Sequence, residues 1–422
     1  MEPSTVALII IGVALILYIT EPIPIAATSI LVCLALAIFG VIPYRAAFAG
    51  FGNDIVFLVA GMIIVGITLF ETGVAQVLGK KIISHVGASE KKFTIVLILL
   101  AMIPAAFLAN VAAMSMMLPI ASAAVAASNG KFLRKNIYMI IGIAAVTSGG
   151  FTLVGSTPQL IAQSALREGG HDTMAFFELS LAGVPVLLLL LAYYLTFGNI
   201  LQKKVFTFPE VPENPAQAES QDKPKKPGKM YISIAVLLFC ITGFISGLWT
   251  VGTVSMMGAM ICIITGCISL KTVYQKMEWT TIIVVACSLG LSAGLEQSGA
   301  GKLVATGIIN VLGDGVSPWL LCAALAFVSI VLTNVMSSTA TAAILIPIAI
   351  SMAMTLGFDV KSAVMAVVIA ANISYATPVS TPAMTMTLQA GYRFNDYIKV
   401  GGLFTLLAYL LVVALFPLIL NI

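Results

Sequence analysis

Long apolar stretches, separated by short polar intervals, run through almost the whole chain. Several of them reach or approach the ~20 residues that a helix needs to cross a bilayer, and such uninterrupted runs are typical of helices rather than of barrel strands. The pattern predicts roughly ten membrane-spanning helices, at about 5–19, 22–42, 53–70, 137–168, 176–201, 230–248, 252–270, 279–297, 361–390 and 397–419.

Two further apolar segments, at about 93–128 and 317–354, are each interrupted midway by polar residues. The interruptions read "LANV" in the first segment and "TNVMSST" in the second. Each segment is predicted to be a re-entrant hairpin, in which two half-helices meet at a tip. The alternative is that each segment forms two complete short spans. This alternative leaves the rest of the chain on the same sides of the membrane.

The composition agrees with this pattern, because 60% of the 422 residues are hydrophobic and only 9% are charged, with a mean hydropathy of +1.09. Soluble domains contain about 25% charged residues. We therefore predict an all-α multi-pass protein of the cell (plasma or inner) membrane.

The basic residues divide unequally between the two membrane faces if both hairpins are re-entrant. One face keeps only four of the 21 lysines and arginines, namely Arg45, Arg167, Lys302 and Lys361. The positive-inside rule then makes the opposite face cytoplasmic. The long hydrophilic interval 202–229, rich in proline and charge, becomes a cytoplasmic linker, and both termini are predicted to be extracytoplasmic.

The parts on either side of this linker, 1–201 and 230–422, resemble each other at a nearly constant offset. Each part is predicted to contain five spans and one hairpin, and an odd number of crossings inverts the second copy relative to the first. Transporters with inverted repeats bind substrate at the repeat interface. The matching pairs are 53–73 with 279–299, 110–119 with 338–347, and 155–158 with 379–382.

Helix breaks at matched places in both halves are the candidate binding elements. They comprise the hairpin tips at 109–111 and 337–339 and the proline motifs at 155–158 and 377–382. The amides at the start of a half-helix attract anions, whereas freed carbonyls and hydroxyls suit a hard cation such as Na⁺. Close packing of small polar residues between helices is the structural alternative.

No charged residue or histidine lies in the middle of a predicted span, so a carboxylate proton relay is not supported. Glu71 and Glu296 occupy equivalent positions near span ends and are read as scaffold residues. The chain has no nucleotide-binding glycine loop, which disfavours an ATP-driven pump, and no catalytic cluster in the spans, which disfavours an enzyme.

Four segments, at 20–41, 53–73, 336–347 and 377–401, resemble the divalent anion/sodium symporter (DASS) family of the ion transporter superfamily. The resemblance implies a homodimer with two inverted repeats, a scaffold domain and a transport domain that moves as an elevator. It implies Na⁺ as coupling ion, a small anionic substrate, no other cofactor and no nucleic-acid partner.

Site residues follow from matching the family motifs to this chain. The resemblance assigns a first Na⁺ site to Ala105, Asn110 and Gly155 and a second to Thr333, Ser338 and Ser380. The substrate-binding residues that it implies are Asn110, Thr157, Pro158, Ser337, Ser338, Thr339, Thr381 and Pro382.

Both hairpin tips depart from the family's Ser-Asn-Thr triplet. The first reads Ala109-Asn110-Val111 and lacks both hydroxyls, whereas the second reads Ser337-Ser338-Thr339 and lacks the amide. Asn334 and Asn372 are nearby amides that either replace the lost groups or serve packing.

The function expected from these features is Na⁺-coupled symport of a C4-dicarboxylate such as succinate, malate or fumarate. A Na⁺-independent dicarboxylate exchanger of the same fold is the alternative, followed by a sulfate or citrate carrier. A non-transporting receptor or scaffold has no need for paired helix breaks at the midplane.

Overall fold

The computed structural model describes residues 2–20, 22–74, 90–108, 110–127, 132–210, 227–246, 248–303, 306–307 and 316–420. These residues form α-helices joined by short turns, and no strand occurs among them. The all-α fold expected from the apolar pattern is thus confirmed. Parts of two earlier predictions, Ala109 of the first tip and 211–226 of the linker, lie outside the described residues.

Ten α-helices precede the linker in the described residues. They are α1 (Pro3–Thr20), α2 (Ile25–Ile38), α3 (Tyr44–Ala47), α4 (Asp54–Glu71), α5 (Glu90–Phe107), α6 (Asn110–Ala127), α7 (Arg134–Gly149), α8 (Thr157–Glu168), α9 (Ser180–Tyr193) and α10 (Asn199–Val205). A π-helical turn at Tyr194–Gly198 joins α9 to α10, so that the helix continues past Gln202, where the linker was predicted to begin.

Nine α-helices follow the linker in the part of the chain that the structure describes. They are α11 (Pro227–Ser246), α12 (Val251–Ile264), α13 (Leu270–Lys276), α14 (Trp279–Gln297), α15 (Pro318–Val335), α16 (Ser338–Leu356), α17 (Val360–Ala371), α18 (Pro382–Met386) and α19 (Phe394–Ile419). Helix α11 begins before Lys229, so described helices occupy both ends of the predicted linker.

Seven helical segments in the described part of the chain are long and apolar enough to cross a membrane. They are Asp54–Glu71, Ser180–Val205, Gly228–Ser246, Trp279–Gln297, Pro318–Val335, Ser338–Leu356 and Phe394–Ile419. Shorter apolar helices add to this set. A multi-pass membrane protein is therefore the correct reading of the apolar pattern.

The predicted spans at 137–168 and 361–390 are each split in two. Helix α7 ends at Gly149 and α8 begins at Thr157, while α17 ends at Ala371 and α18 begins only at Pro382. Proline suits the first turn of a helix and pushes the residue before it into an extended conformation. The split therefore occurs where the proline motifs were expected to break the helices.

The helices pack in two groups. The first group contains α1–α4 and α11–α14, in which α4 packs on α12 and α2 packs on α14. Glycines allow these close approaches, since a Cβ on Gly61 would lie 2.5 Å from the backbone of Ser255 and one on Gly290 would lie 2.8 Å from Cys33 Sγ of α2. The second group contains α5–α10 and α15–α19, in which α7 packs against α5 and α6, and α17 packs against α15 and α16.

Candidate functional site

A cavity of about 500 Å³ lies where the two helix groups meet. The lining residues from the first group are Ile25 of α2, Val59, Met62 and Ile63 of α4, and residues 277–281 at the start of α14. The second group contributes the ends of broken helices on the opposite wall. The volume is within the range of small-molecule binding sites.

All eight residues predicted to bind substrate line this one cavity. They come from four separate places in the chain and are Asn110, Thr157, Pro158, Ser337, Ser338, Thr339, Thr381 and Pro382. Ser156 and Ser380 line it as well. The structure thus brings residues of both predicted tips and both proline motifs together around one cavity.

Three long helices begin at the cavity wall. Helix α6 starts at Asn110, α8 at Thr157 and α16 at Ser338, and each of these residues lines the cavity. The first amides of a helix carry no intrahelical partner and the helix dipole places partial positive charge there. These helix ends offer an anion favourable contacts without a basic side chain.

The tip between α15 and α16 is held by its own hydroxyl groups. Ser337 caps α16, with its Oγ accepting a hydrogen bond from the amide of Ala340 at 3.2 Å. The Ser338 amide donates to the Ser380 carbonyl at 3.0 Å, and its hydroxyl donates to the same oxygen at 3.2 Å. The second tip is therefore tied to the proline motif of α17–α18.

The second predicted Na⁺ site is a compact cluster of buried oxygens. The Thr333 hydroxyl lies 2.8 Å from Ser338 Oγ and 3.2 Å from the Ala371 carbonyl. Ser380 Oγ donates to the carbonyls of Ser374 and Thr377 at 2.8 and 2.9 Å. Thr333, Ser338 and Ser380 thus meet as expected, and their hydroxyl and carbonyl oxygens are the ligand type that a hard cation prefers.

The first predicted Na⁺ site is built mainly from backbone carbonyls. A Cβ placed on Gly155 would lie 3.0 Å from the Ala105 carbonyl oxygen and would collide with the Gly149 carbonyl. A Cβ placed on Gly149 would lie 2.8 Å from Asn110 Oδ1 and 3.1 Å from the Gly155 carbonyl. Ala105, Asn110 and Gly155 therefore converge around Gly149.

Asn110 Oδ1 is buried and has no hydrogen-bond partner. A buried acceptor without a partner costs roughly 1–3 kcal/mol, so such groups usually mark a missing ligand or water. The Gln159 amide donates to the Gly149 carbonyl at 2.8 Å and keeps this carbonyl in place. The donor set therefore fits a hard cation that would satisfy the Asn110 oxygen.

Three contributors to the site were missed in the sequence. Ser374 accepts a hydrogen bond from Ser338 at 3.4 Å, and Gln159 holds the Gly149 carbonyl. Both lie close in sequence to the proline motifs, so their polar character within an apolar region was the available signal. Glu278 lines the cavity and gave no signal, because it lies in a polar interval before a span.

Glu278 differs from the other lining residues in carrying a titratable side chain. It lies immediately before α14, is half-buried, and accepts a hydrogen bond from the Thr281 hydroxyl at 3.3 Å. Burial raises the pKa of this carboxyl, and the Thr281 hydrogen bond partly opposes the rise.

The side chains of Asn334 and Asn372 form hydrogen bonds with backbone groups. Asn334 Oδ1 accepts a hydrogen bond from the Ala376 amide at 2.9 Å, and its Nδ2 donates to the Ile330 carbonyl at 2.8 Å. Asn372 Nδ2 donates to the Val368 carbonyl at 2.9 Å. Neither residue lines the cavity, and these hydrogen bonds favour the packing interpretation.

Comparisons with known proteins agree with this architecture. The model of the citrate transporter family (CitMHS) matches residues 15–364. An uncharacterized transporter of Haemophilus influenzae is 26% identical over 419 residues, covering 94% of this chain and 88% of that protein. The sodium-dependent dicarboxylate transporter SdcS of Staphylococcus aureus is 25% identical over 407 residues, covering 89% of this chain and 78% of that protein.

Two solved transporter structures share the fold. The YdaH transporter of Alcanivorax borkumensis matches with a TM-score of 0.61 at 15% identity, covering 92% of this chain and 88% of that one. MtrF of Neisseria gonorrhoeae, described as one of a class of antimetabolite efflux pumps, matches with a TM-score of 0.61 at 12% identity, covering 99% and 94%.

Proposed function

The chain belongs to the citrate transporter family, is a multi-pass secondary transporter of carboxylates and not an enzyme, and on that premise we propose that it carries C4-dicarboxylates together with Na⁺. The observation that carries the proposal is the convergence of three long-helix N-termini on one cavity without a lysine, arginine or histidine among its described lining residues. Two carboxylates can be bound there by amides and hydroxyls from the two hairpin tips.

Na⁺ is the proposed coupling ion because both candidate sites consist of neutral oxygens. The first site contains the partnerless Asn110 Oδ1, and the second contains the Thr333 and Ser338 hydroxyls. Each candidate site adjoins a hairpin tip that also lines the cavity, so a bound cation would offset the charge of a dianion nearby. The printed function of SdcS, sodium-dependent dicarboxylate transport, supports the same choice.

Reciprocal packing of the two halves supports the proposed inverted repeats. Helix α4 of the first half packs on α12 of the second, and α14, the counterpart of α4, packs on α2 of the first. If the two halves are related by a two-fold axis, each contact between a helix of one half and a helix of the other occurs a second time with the halves interchanged. The site lies between the two helix groups, so we propose that the first group is the scaffold and the second an elevator-type transport domain, in a homodimer with a cytoplasmic linker.

Uptake of labelled succinate by proteoliposomes tests the proposed function. We expect uptake that depends on an inward Na⁺ gradient and is inhibited by unlabelled malate and fumarate. Counterflow without Na⁺ dependence would instead establish the exchanger, which is favoured by the absence of a hydroxyl ligand among Ala105, Asn110, Gly149 and Gly155.

A double variant tests the site assignment. Asn110→Ala with Thr339→Ala removes one polar side chain from each tip, and we expect succinate uptake to fall at least tenfold because each lost hydrogen bond to a charged group contributes about 1.5–3 kcal/mol. The matched control is Thr242→Ala with Asn395→Ala, which removes the same side chains at exposed positions. Unchanged uptake in the site variant would reject the assignment.

A further inference from the structure

Glu278 lies on the wall of the cavity that belongs to the first helix group, opposite the tips and proline motifs of the second group. Among the described residues that line this cavity, it is the one with a titratable side chain. A negatively charged group in a site for dicarboxylates opposes the substrate, so its presence there requires an explanation.

The local structure leaves the Glu278 carboxyl available to the cavity. Glu278 occupies the N-cap position of α14 but makes no side-chain capping bond. Its one described hydrogen bond comes from the Thr281 hydroxyl to Oε2, at 3.3 Å. The positive end of the α14 dipole attracts either this carboxylate or a substrate carboxylate, so two negative charges would compete for the same helix end.

Charged groups on the neighbouring elements are engaged elsewhere. On α4, Asp54 pairs with Arg167 of α8 at 2.8 Å, and Glu71 pairs with Lys276 of α13. Glu168 at the end of α8 accepts a hydrogen bond from Asn53 at 2.6 Å. The basic group nearest in sequence to Glu278 is therefore already neutralised by a carboxylate.

The remaining charges on these elements lie away from the cavity. Lys271 of α13 is exposed, and Glu296 is exposed at the opposite end of α14, about 27 Å along the helix. The charged residues of α5 lie at its start, whereas its end lines the cavity at Phe107. Helices α2, α6, α16 and α18 contain no charged residue. Arg45 of α3 is exposed, and α3 packs against α14 near Gly290, about 18 Å along the helix from Glu278. No described lysine or arginine thus lines the cavity beside an ionised Glu278.

We propose that Glu278 is the charge-selecting residue of the carboxylate site, which takes up one proton from solvent when a dianion binds and then donates a hydrogen bond to it. The ionised form excludes dianions by repulsion at the start of α14, and the protonated form admits them. Each bound dianion is therefore accompanied by one proton on Glu278. This inference rests on the proposed transport of dicarboxylates.

Burial favours the protonated form of this carboxyl, because it raises the pKa of Glu278 above its ordinary value. A dianion nearby raises that pKa further, since a like charge disfavours ionisation. Linkage then makes the affinity for a dianion fall as the pH rises, approaching tenfold per pH unit where Glu278 is ionised in the empty site.

Fumarate binding to the purified full chain tests the proposal by calorimetry. Both fumarate carboxyls are ionised above about pH 6, so free fumarate brings no proton to the site and any proton gained on binding comes from the buffer. Titrations in two buffers of different ionisation enthalpy give the number of protons, which we expect to approach one at alkaline pH. An affinity that does not change with pH, without proton uptake, would overturn the inference.

Three variants locate the proton. Glu278→Gln is expected to bind fumarate with a flat pH profile and no proton uptake, and Thr281→Val is expected to shift the fall in affinity to higher pH by removing the hydrogen bond to the carboxylate. Glu296→Gln removes an exposed carboxyl from the same helix and is expected to match the unaltered protein.

The outcomes separate this inference from the proposed function. Equal pH profiles and equal proton uptake in Glu278→Gln and the unaltered protein, with fumarate still bound, overturn the role of Glu278 and leave dicarboxylate transport intact. Absence of fumarate binding and of succinate uptake at every pH overturns the proposed function and the inference with it. If Glu278→Gln does not fold, the Thr281→Val profile decides, and an unshifted profile counts against the role.

Discussion

Gly155 is the residue at which the first candidate cation site is most sensitive to substitution. Adding a Cβ would place it 3.0 Å from the Ala105 carbonyl and in collision with the Gly149 carbonyl. Backbone atoms cannot move aside as the end of a flexible side chain can. The site therefore requires glycine because of its neighbours, as the φ of Gly155 is not in the left-handed region.

Gly155→Ala is expected to reduce stabilisation by Na⁺, because it obstructs the first candidate site and leaves the second unchanged. A ligand that binds only the native state stabilises it by about 2.7 kcal/mol at 100 times its Kd. The melting temperature of the purified protein with NaCl or choline chloride measures this effect. Gly12→Ala in α1, where a Cβ meets nothing within 4 Å, serves as control and should keep the Na⁺-dependent shift.

Glu278→Gln is expected to change how stability depends on pH. A carboxyl whose pKa is raised on folding binds more protons in the native state, so it lowers stability as the pH rises from its ordinary value through the raised value. The variant should melt at a higher temperature than the unaltered protein at alkaline pH, and the difference should vanish in acid. A constant difference at every pH would contradict this expectation.

Single residues were predictable where they belonged to a repeated motif. Ser338 and Thr381 stood out because polar residues beside a helix break recur at matched places in both halves. Glu278 belongs to no such pattern, and its place in the cavity depends on α14 packing against the second helix group. The residues next to Glu278 in sequence do not predict this contact between helices.

At the scale of elements, the start of α4 links the two helix groups. Asn53 caps α4 by accepting a hydrogen bond from the Ile55 amide at 2.8 Å, and it also donates to Glu168 at the end of α8. The adjacent Asp54 accepts from Arg167 of α8 and, at 2.6 Å, from the Thr250 hydroxyl before α12. The ends of three helices are joined at this point.

Asn53→Ala is expected to destabilise the protein by about 1–2 kcal/mol, because it removes an N-cap and leaves Glu168 without this donor. Asn53→Ser separates the two contributions, since serine keeps a cap acceptor but is too short to reach Glu168 in the same way. Unfolding in a denaturing detergent measures both variants. Equal losses for alanine and serine would show that the cap contributes little.

Helix breaks were the elements that the sequence predicted best, because proline acts locally on the backbone. Thr381, which precedes Pro382, has φ −145° and ψ 149°, the extended conformation expected for that position. The exact residues at which helices end were harder to predict from the sequence. Helices α10 and α11 extend into the proline-rich interval 202–229, since the polar residues there do not by themselves terminate a helix.

At the scale of the whole molecule, the contacts between the helix groups would have to break in the proposed elevator motion. Asn53→Cys with Glu168→Cys places one thiol on each group, at a pair whose side chains are 2.6 Å apart. We expect a cross-link there to stop succinate uptake and a reducing agent to restore it. The six native cysteines are free and buried, which limits background reaction.

The matched control joins two positions within the first group. Glu71 and Lys276 form an ion pair between α4 and α13, so Glu71→Cys with Lys276→Cys places two thiols in the first group, where a bifunctional methanethiosulfonate reagent joins them without bridging the two groups. This cross-link should leave uptake unchanged. Full uptake by the protein cross-linked between Asn53 and Glu168 would contradict the proposed motion.

The sequence by itself determined the membrane-spanning all-α class, the places of the helix breaks and the family, because apolar length, proline and repeated polar motifs act through local physics. Only the tertiary structure decided which breaks meet. The convergence of Asn110 with Gly149 and of Thr333 with Ser380 depends on packing between helices distant in sequence. The same packing places Glu278, which the sequence shows only in a polar interval before a span, on the wall of the cavity.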